Sequence, residues 1–337
     1  YTMKSNVSPF SMQEVKATRE LLGNRILKTP VTPFQSLAIQ RKLGNDAEVF
    51  LKLELFQHSN SFKVRGAMSV ALRQPEVQLR KGLTGFSSGN HAIALACVAR
   101  SLGTTAKVVM QESANPLRRR RFLEYGGEAV FAPSGAEGLK MAQAIAHDEG
   151  RIFVHPYEGV YTTLGTATIA LEINQQIPDL DAVVVAIGGG GLCSGLGPAI
   201  KQLQPNCKVF AVEPEGAATM YRSFQSGRPE IETRFNTIAD ALAPPRIEAY
   251  SFSMCRQSVD DLVLIDDQSI RQAMALLFEE AKLVVEPAGA AATAALIGPL
   301  RERLKGKRTC VIVCGSNIDT ASFYDHLSLV DANGGTG

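Results

Sequence analysis

The 337-residue chain contains no tryptophan, only five histidines and only six cysteines. The cysteines are scattered through apolar stretches and form none of the Cys-x-x-Cys pairs that are typical of zinc sites. A disulfide framework is not expected either, because such frameworks belong mainly to short secreted chains. This use of cysteine predicts a protein of the reducing cytoplasm.

Long apolar runs and an excess of one charge are absent as well. No segment reaches the roughly 18 continuous apolar residues of a membrane-spanning helix, and Lys4, Ser5 and Asn6 stand where a signal peptide would have its apolar core. The net charge is only +2, so there is no electrostatic reason to expect nucleic acid or a membrane as partner. The one basic run, at residues 118–121, is interpreted as a solvated helix face.

The chain does contain short β-rich apolar runs that alternate with segments whose apolar residues recur every three or four positions. Strands are predicted at residues 49–53, 107–110, 129–132, 152–154, 182–187, 209–212, 262–265 and 309–314. Helices are predicted at residues 92–102, 138–147, 166–177, 269–281 and 288–300. Because continuous apolar strands joined by helices form parallel sheets covered on both faces, the sequence predicts a doubly wound α/β protein with mostly parallel sheets.

A lysine and a distant glycine run are the most informative features of the chain. Lys63 lies in the stretch Ser-Phe-Lys-Val-Arg-Gly, and four glycines occupy residues 188–191, between an apolar strand and a helical pattern. Residues without side chains let successive N–H groups point toward one anion, and the following helix N-terminus adds partial positive charge. An amine together with such a phosphate cup indicates a phosphorylated aldehyde that is held covalently. Close packing of the glycines is the structural alternative.

Three further motifs lie where predicted elements begin or end. The first is a polar loop between a strand end and a helix, formed by Ser87, Ser88, Gly89, Asn90 and His91. This loop could hold a carboxylate, although it is also good turn and N-cap chemistry, and His91 alone is more typical of a packed histidine. Cys314 ends a late apolar strand, where a thiol is usually inert. Glu286 precedes a small-residue helix whose dipole would stabilise the charge. Each motif is weak by itself.

Taken together and in this order, the motifs resemble those of the fold type II pyridoxal phosphate enzymes, most closely the serine/threonine dehydratase and serine racemase family. The resemblance covers nearly the whole chain, from the Lys-Thr-Pro-Val segment at residues 28–31 to residues 314–319. It implies the two-domain, tryptophan synthase β-like fold and a homodimer. The implied large domain combines residues 1–73 and 156–330, the small domain is residues 74–155, and residues 331–337 form a tail.

The resemblance also implies a role for each matching residue. Lys63 would be the Schiff-base lysine of pyridoxal 5'-phosphate, with Phe62 beside the cofactor ring, Asn90 bonded to the ring hydroxyl and Cys314 against the pyridine nitrogen. The phosphate cup would consist of Gly188, Gly189, Gly190, Gly191 and Leu192. The loop that begins at Ser87 would bind the substrate carboxylate, and Glu286 is a candidate active-site acid.

A neutral thiol at the pyridine nitrogen makes the cofactor a weaker electron sink than a carboxylate there would, which favours expulsion of a β-substituent. Lys63 would remove the Cα proton, and the β-hydroxyl would leave. The predicted function is therefore a dehydratase, or ammonia-lyase, that converts a β-hydroxy amino acid to a 2-oxo acid and ammonia. Serine, threonine, hydroxyaspartate and phenylserine are the candidate substrates.

Three alternative functions stay open. An amino-acid racemase needs a second acid/base on the face opposite Lys63, and Ser88 stands where the racemase-like members have one. A β-replacement synthase would use the same early chemistry and then a second nucleophile. A non-enzymatic carrier of the cofactor would keep Lys63 and the glycine cup without a need for Glu286 or Ser88.

Several positions depart from the family pattern. Asn60, residues 165–168 and Ala241 differ from what is common in the family, and they leave the substrate open. Thr219 stands where the metal-binding members have an acidic side chain. A hydroxyl is a poorer ligand for a hard cation, so no metal is predicted, although Glu213 and the Ala217 carbonyl remain as candidate ligands.

Overall fold

The structure is a computed structural model that describes residues 10–331. The polar residues at the N-terminus and residues 332–337 of the predicted tail lie outside this part of the chain. Between residues 10 and 331, no helix is both long and apolar enough to cross a lipid bilayer.

Strands and helices alternate along most of the described chain. The strands are β1 Val31–Pro33, β2 Glu48–Leu53, β3 Leu83–Phe86, β4 Ala106–Gln111, β5 Glu128–Ala132, β6 Ile152–Phe153, β7 Ala182–Ala186, β8 Lys208–Pro214, β9 Asp261–Ile265 and β10 Arg308–Val313. The helices are α1 Met12–Leu22, α2 Leu37–Leu43, α3 Lys63–Ala71, α4 Glu76–Leu79, α5 Asn90–Ser101, α6 Pro116–Glu124, α7 Gly135–Glu149, α8 Val160–Gln176, α9 Cys193–Leu203, α10 Thr219–Ser226, α11 Ala249–Ser258, α12 Asp267–Ala281, α13 Pro287–Ile297, α14 Arg301–Leu304 and α15 Thr320–Asp331.

The strands form two sheets. The larger has the order β1-β2-β10-β7-β8-β9, in which only β1 and β2 pair antiparallel. The smaller has the order β5-β4-β3-β6 and is parallel throughout. Every residue of β7 is buried. A central parallel strand is covered on both faces, which explains why the sequence of β7 is apolar without interruption. The smaller sheet falls within the predicted small domain, whose boundaries at residues 74–155 stay a prediction.

The eight predicted strands and five predicted helices are all present, with ends that differ by a few residues. Strand β1 is not predicted from the sequence, and of β3 only the strand end before Ser87 is predicted. β1 has only three residues and ends in a proline, and β3 contains a glycine. Such short strands lack the apolar alternation that marks a strand in sequence.

Helix α3 is held in place on two sides. Its residues Val64 and Met68 belong to the core that also contains most of α5. On another side, the fully buried Arg65 pairs with Glu54 at 2.7 Å and with Glu172 at 2.8 Å. Because an unpaired buried charge is costly, these pairs restrict how α3 can shift. The residue at the start of this helix is Lys63.

Candidate active site

The amine of Lys63 lies at the N-terminus of α3. Its Nζ donates a hydrogen bond of 2.6 Å to the carbonyl oxygen of Pro156 and lies 5.1 Å from the centroid of the Phe62 ring. Burial lowers the pKa of Lys63 from 10.5 to about 8, although Cys314 and Glu286 act in the opposite direction. A substantial fraction of this amine is therefore neutral near physiological pH, as a nucleophile or base requires.

The glycine run between β7 and α9 leaves no space for side chains. A Cβ atom at Gly189 would lie 2.4 Å from Cγ of Tyr157, and one at Gly191 would lie 2.6 Å from its Cα. Gly190 has a φ of +90°, which side chains rarely permit. Tyr157 therefore forms a wall against which only glycine fits.

The same run offers N–H groups for an anion. Within residues 10–331, no protein acceptor bonds the backbone N–H groups of the residues from Gly189 to Leu192. They precede the N-terminus of α9, whose dipole favours negative charge. Free donors at a helix N-terminus fit a phosphate group.

The loop that begins at Ser87 connects β3 to α5. The hydroxyl of Ser88 accepts a hydrogen bond of 2.8 Å from the backbone N–H of Gln111, and the hydroxyl of Ser87 accepts one of 3.1 Å from the N–H of Gly89. The Ser88 hydroxyl is thus held against β4. Its own proton remains available for donation.

The side chain of His91 is buried beneath this loop. Its Nε2 lies 2.8 Å from the carbonyl oxygen of Val154, which can only accept, so Nε2 carries the proton. Burial, and then the Lys63 charge, lower the pKa of His91 to about 3. His91 is therefore a neutral, packed residue, and its part in binding a carboxylate stays a prediction, in which only its backbone N–H could act.

Asn90 and Glu286 are in direct contact. The Nδ2 of Asn90 donates a hydrogen bond of 2.5 Å to Oε1 of Glu286, and the Oδ1 of Asn90 accepts one of 2.8 Å from Asn317. Glu286 is 1% exposed, and burial raises its pKa while Arg118 opposes the shift. The second hydrogen of Asn90 Nδ2 could bond a ring hydroxyl, and this contact stays a prediction.

The interpretation of the basic run at residues 118–121 as a solvated helix face is wrong for Arg118, which is buried, whereas Arg119 and Arg120 are exposed. Arg118 is 7% exposed, and its guanidinium binds Asp240 at 2.5 Å and 3.1 Å and Glu286 at 3.3 Å. Burial would lower the pKa of Arg118, but Glu286 and Asp240 raise it instead. Arg121 is engaged as well, through a 3.0 Å hydrogen bond to Oδ1 of Asn60. No feature of the sequence distinguishes Arg118 from its neighbours. Its burial and its contacts with acids distant in sequence become visible only in the fold.

Cys314 follows β10 and is 4% exposed. Its Sγ donates a hydrogen bond of 3.4 Å to the carbonyl oxygen of Ala288. Burial raises the pKa of the Cys314 thiol well above its usual value. The group is therefore a neutral thiol, and its place at the pyridine nitrogen stays a prediction.

Glu213 serves as a cap for α10. Its carboxylate oxygens accept hydrogen bonds of 3.0 Å from Met220 N–H and 2.8 Å from Tyr221 N–H. In the part of the chain that the structure describes, no three His, Cys, Asp or Glu side chains cluster as metal ligands would. That no metal binds here stays a prediction.

Residues 23–315 match the sequence family described as pyridoxal-phosphate dependent enzyme. The chain belongs to this family. It is 48% identical to a phenylserine dehydratase of Ralstonia pickettii over 83% of this chain and 86% of that protein. It is 34% identical to the catabolic L-threonine dehydratase TdcB of Escherichia coli over 96% and 98% of the two chains. Maize serine racemase has the same fold, with a TM-score of 0.87, 29% identity and coverage of 96% and 99%.

The residues of this chain fit the family cofactor, pyridoxal 5'-phosphate. Lys63 offers an amine of lowered pKa. The residues from Gly189 to Leu192 offer N–H donors that no acceptor within residues 10–331 bonds, and Cys314 is a neutral thiol near Lys63. The fold class and the family predicted from the sequence are confirmed.

Proposed function

We propose that this pyridoxal-phosphate-dependent dehydratase acts preferentially on 3-hydroxy amino acids with an aromatic β-substituent, of the phenylserine type. The reaction is the β-elimination of water from a 3-hydroxy amino acid; the released enamine becomes an imine, which water hydrolyses to a 2-oxo acid and ammonia. The observation that supports the chemistry most strongly is the Lys63 amine, whose pKa is lowered to about 8. The preference for an aromatic substrate is supported by the 48% identity to a phenylserine dehydratase.

Each residue of the site has a separate role in the proposed reaction. The bound cofactor withdraws electrons from Cα of the substrate amino acid. Lys63 takes the proton from Cα. When the Lys63 amine is free, it donates a hydrogen bond to the Pro156 carbonyl oxygen. The N–H groups and hydroxyls of the loop at Ser87 and Ser88 bind the substrate carboxylate at the N-terminus of α5. Phe62, whose ring centroid is 5.1 Å from Nζ of Lys63, would lie beside the ring of the cofactor.

Arg118 argues against an acidic substrate. A Cβ atom at Gly89 would lie 3.8 Å from Nη1 of Arg118, so this cation lies next to the carboxylate-binding loop. It is already paired with Asp240 and Glu286. A second substrate carboxylate would have to displace one of them, which disfavours 3-hydroxyaspartate relative to an uncharged substrate.

A panel of L-threo-phenylserine, L-threonine, L-serine and L-threo-3-hydroxyaspartate tests the proposal. The 2-oxo acid, the ammonia and the chirality of the remaining substrate are measured for each. We expect equal amounts of 2-oxo acid and ammonia, with the highest kcat/KM for phenylserine and the lowest for hydroxyaspartate. A higher kcat/KM for threonine or serine would contradict the aromatic preference, and conversion mainly to the mirror image would contradict the dehydratase.

The finer features of the assembly are part of the proposal. We expect a homodimer in the cytoplasm whose small domain, residues 74–155, moves against the large domain when substrate binds. Light scattering of the purified protein tests the dimer, because a mass twice the 36.2 kDa of one chain is expected. A mass of one chain at micromolar concentration would contradict it.

A further inference from the structure

A short turn links the two halves of the cofactor site. It comprises residues 155–158, between β6 and α8, and we refer to it as the His155 turn. Its Pro156 carbonyl accepts the 2.6 Å hydrogen bond from Lys63. Its next residue, Tyr157, packs against the glycine run. A displacement of this turn would therefore affect the lysine and the phosphate cup together.

His155 stabilises the turn from within. Its Nδ1 accepts hydrogen bonds from the backbone N–H groups of Tyr157, at 3.3 Å, and Glu158, at 3.0 Å. Nδ1 must therefore hold a lone pair, and the ring proton lies on Nε2. Burial, followed by the charge of Lys63, lowers the pKa of His155 to about 4, so the acceptor persists at neutral pH. The ring also contacts Tyr157 edge to face at 4.6 Å between centroids.

On its other side, the His155 turn contacts helix α11 and the loop that precedes this helix. The hydroxyl of Tyr157 donates to the carbonyl of Arg246 at 2.9 Å. Glu158 accepts from the N–H groups of Tyr250 and Ser251, each at 2.9 Å, at the N-terminus of α11. These contacts hold the turn in place, whereas the Nδ1 bonds of His155 determine its internal shape.

We propose that His155 is a positioning residue for the cofactor site. The lone pair of Nδ1 shapes the turn that directs the Pro156 carbonyl at the Lys63 amine and holds Tyr157 against the glycine run. His155 transfers no proton in this role. The inference rests on the proposed function only for its kinetic readout, because cofactor affinity does not depend on the identity of the substrate.

Three substitutions separate this role from the alternatives. In His155→Asn, Oδ1 is the same number of bonds from the backbone as Nδ1 and can accept the same two N–H groups. His155→Leu is the matched control of similar size without an acceptor, and His155→Phe keeps an aromatic ring without an acceptor. The readouts are the dissociation constant for pyridoxal phosphate, the absorption spectrum of the bound cofactor, and kcat and KM for phenylserine.

We expect His155→Asn to remain within about threefold of the unmodified protein in cofactor affinity and kcat/KM. His155→Leu and His155→Phe should each weaken cofactor binding by at least about tenfold, because two partly buried N–H groups lose their acceptor and the turn loses its shape. Circular dichroism and thermal melting establish that each variant folds. If the Leu and Phe variants do not fold, His155→Asn decides alone, and a tenfold loss in that variant contradicts the proposal.

Other outcomes overturn the inference. Normal cofactor affinity with a similar loss of kcat in all three variants would indicate proton transfer by the imidazole. A normal Phe variant with a defective Asn variant would indicate that only the volume of the ring matters. Unchanged behaviour of all three would remove His155 from the site. An unmodified protein that binds the cofactor but does not dehydrate any substrate would refute the proposed function and leave the affinity test intact.

Discussion

Nη2 of Arg118 lies 3.3 Å from Oε2 of Glu286, so a residue of α6 neutralises a buried carboxylate that precedes α13. Removal of one member of a buried ion pair leaves the other charge unpaired and costs about 3–5 kcal/mol. We expect Arg118→Met to lower the free energy of unfolding by about this amount in denaturant titrations. The additional change Glu286→Gln should recover part of the loss.

The neighbouring Arg120 provides the control for this prediction. It is exposed and, among residues 10–331, forms an ion pair only with Glu124 of the same helix. Arg120→Met should change stability by less than about 0.5 kcal/mol. Equal effects of the Arg118 and Arg120 substitutions would contradict the assignment of Arg118 as a buried partner of Glu286.

Ser88 tests the racemase alternative. Its hydroxyl accepts the N–H of Gln111, and a serine hydroxyl is a very weak acid that needs a strongly perturbing site to act as a base. We expect Ser88→Ala to abolish any racemisation and to retain measurable dehydration of the L-substrate. Chiral chromatography and 2-oxo acid release measure the two activities. Persistent racemisation in the variant would exclude Ser88 as the second acid/base.

Cys314 tests the electronic argument. Serine is also a neutral donor that can reach the Ala288 carbonyl, so Cys314→Ser should retain substantial elimination activity. Cys314→Asp should slow elimination, because a carboxylate would favour a protonated pyridine nitrogen and would also lie near the buried Glu286. Steady-state kinetics at equal cofactor content provide the comparison. Loss of activity in the serine variant would show that the thiol has another role.

The lowered pKa of Lys63 has a consequence for stability in the cofactor-free protein. Because the folded-state pKa is about 8 and the ordinary value is 10.5, folding disfavours the charged amine. The penalty is fully present below pH 8 and fades as the pH rises toward 10.5. We expect Lys63→Met to raise the melting temperature at pH 7, and this gain to shrink above pH 8. A gain that is independent of pH would contradict the shift.

Much of the architecture can be predicted from the sequence because its causes are local. The buried strand β7 must be apolar throughout, and helices such as α12 show their apolar faces at regular intervals. Lys63 and the glycine run are recognisable because each lies in a short motif of the chain, Ser-Phe-Lys-Val-Arg-Gly for the lysine and four consecutive glycines for the run. Arg118 is not, because its partners Asp240 and Glu286 are distant in sequence and it stands among four arginines.

His155 illustrates the same limit. A single histidine in the segment His-Pro-Tyr-Glu carries no pattern that distinguishes a surface residue from a turn-forming acceptor. The role of His155 depends on the hydrogen bonds that its Nδ1 accepts from two N–H groups of the same turn. It also depends on the hydrogen bond from Nζ of Lys63 to the Pro156 carbonyl oxygen. Such tertiary relationships become visible only in the folded chain.

The most direct test of the account is to identify the lysine that holds the cofactor. The purified protein is reduced with borohydride, which fixes covalently attached pyridoxal phosphate, and the labelled peptide is sequenced by mass spectrometry. We expect a yellow protein whose label lies on Lys63, and a Lys63→Ala variant that binds the cofactor without a covalent bond and is inactive. A stable adduct on any other lysine would contradict the assignment of the active site.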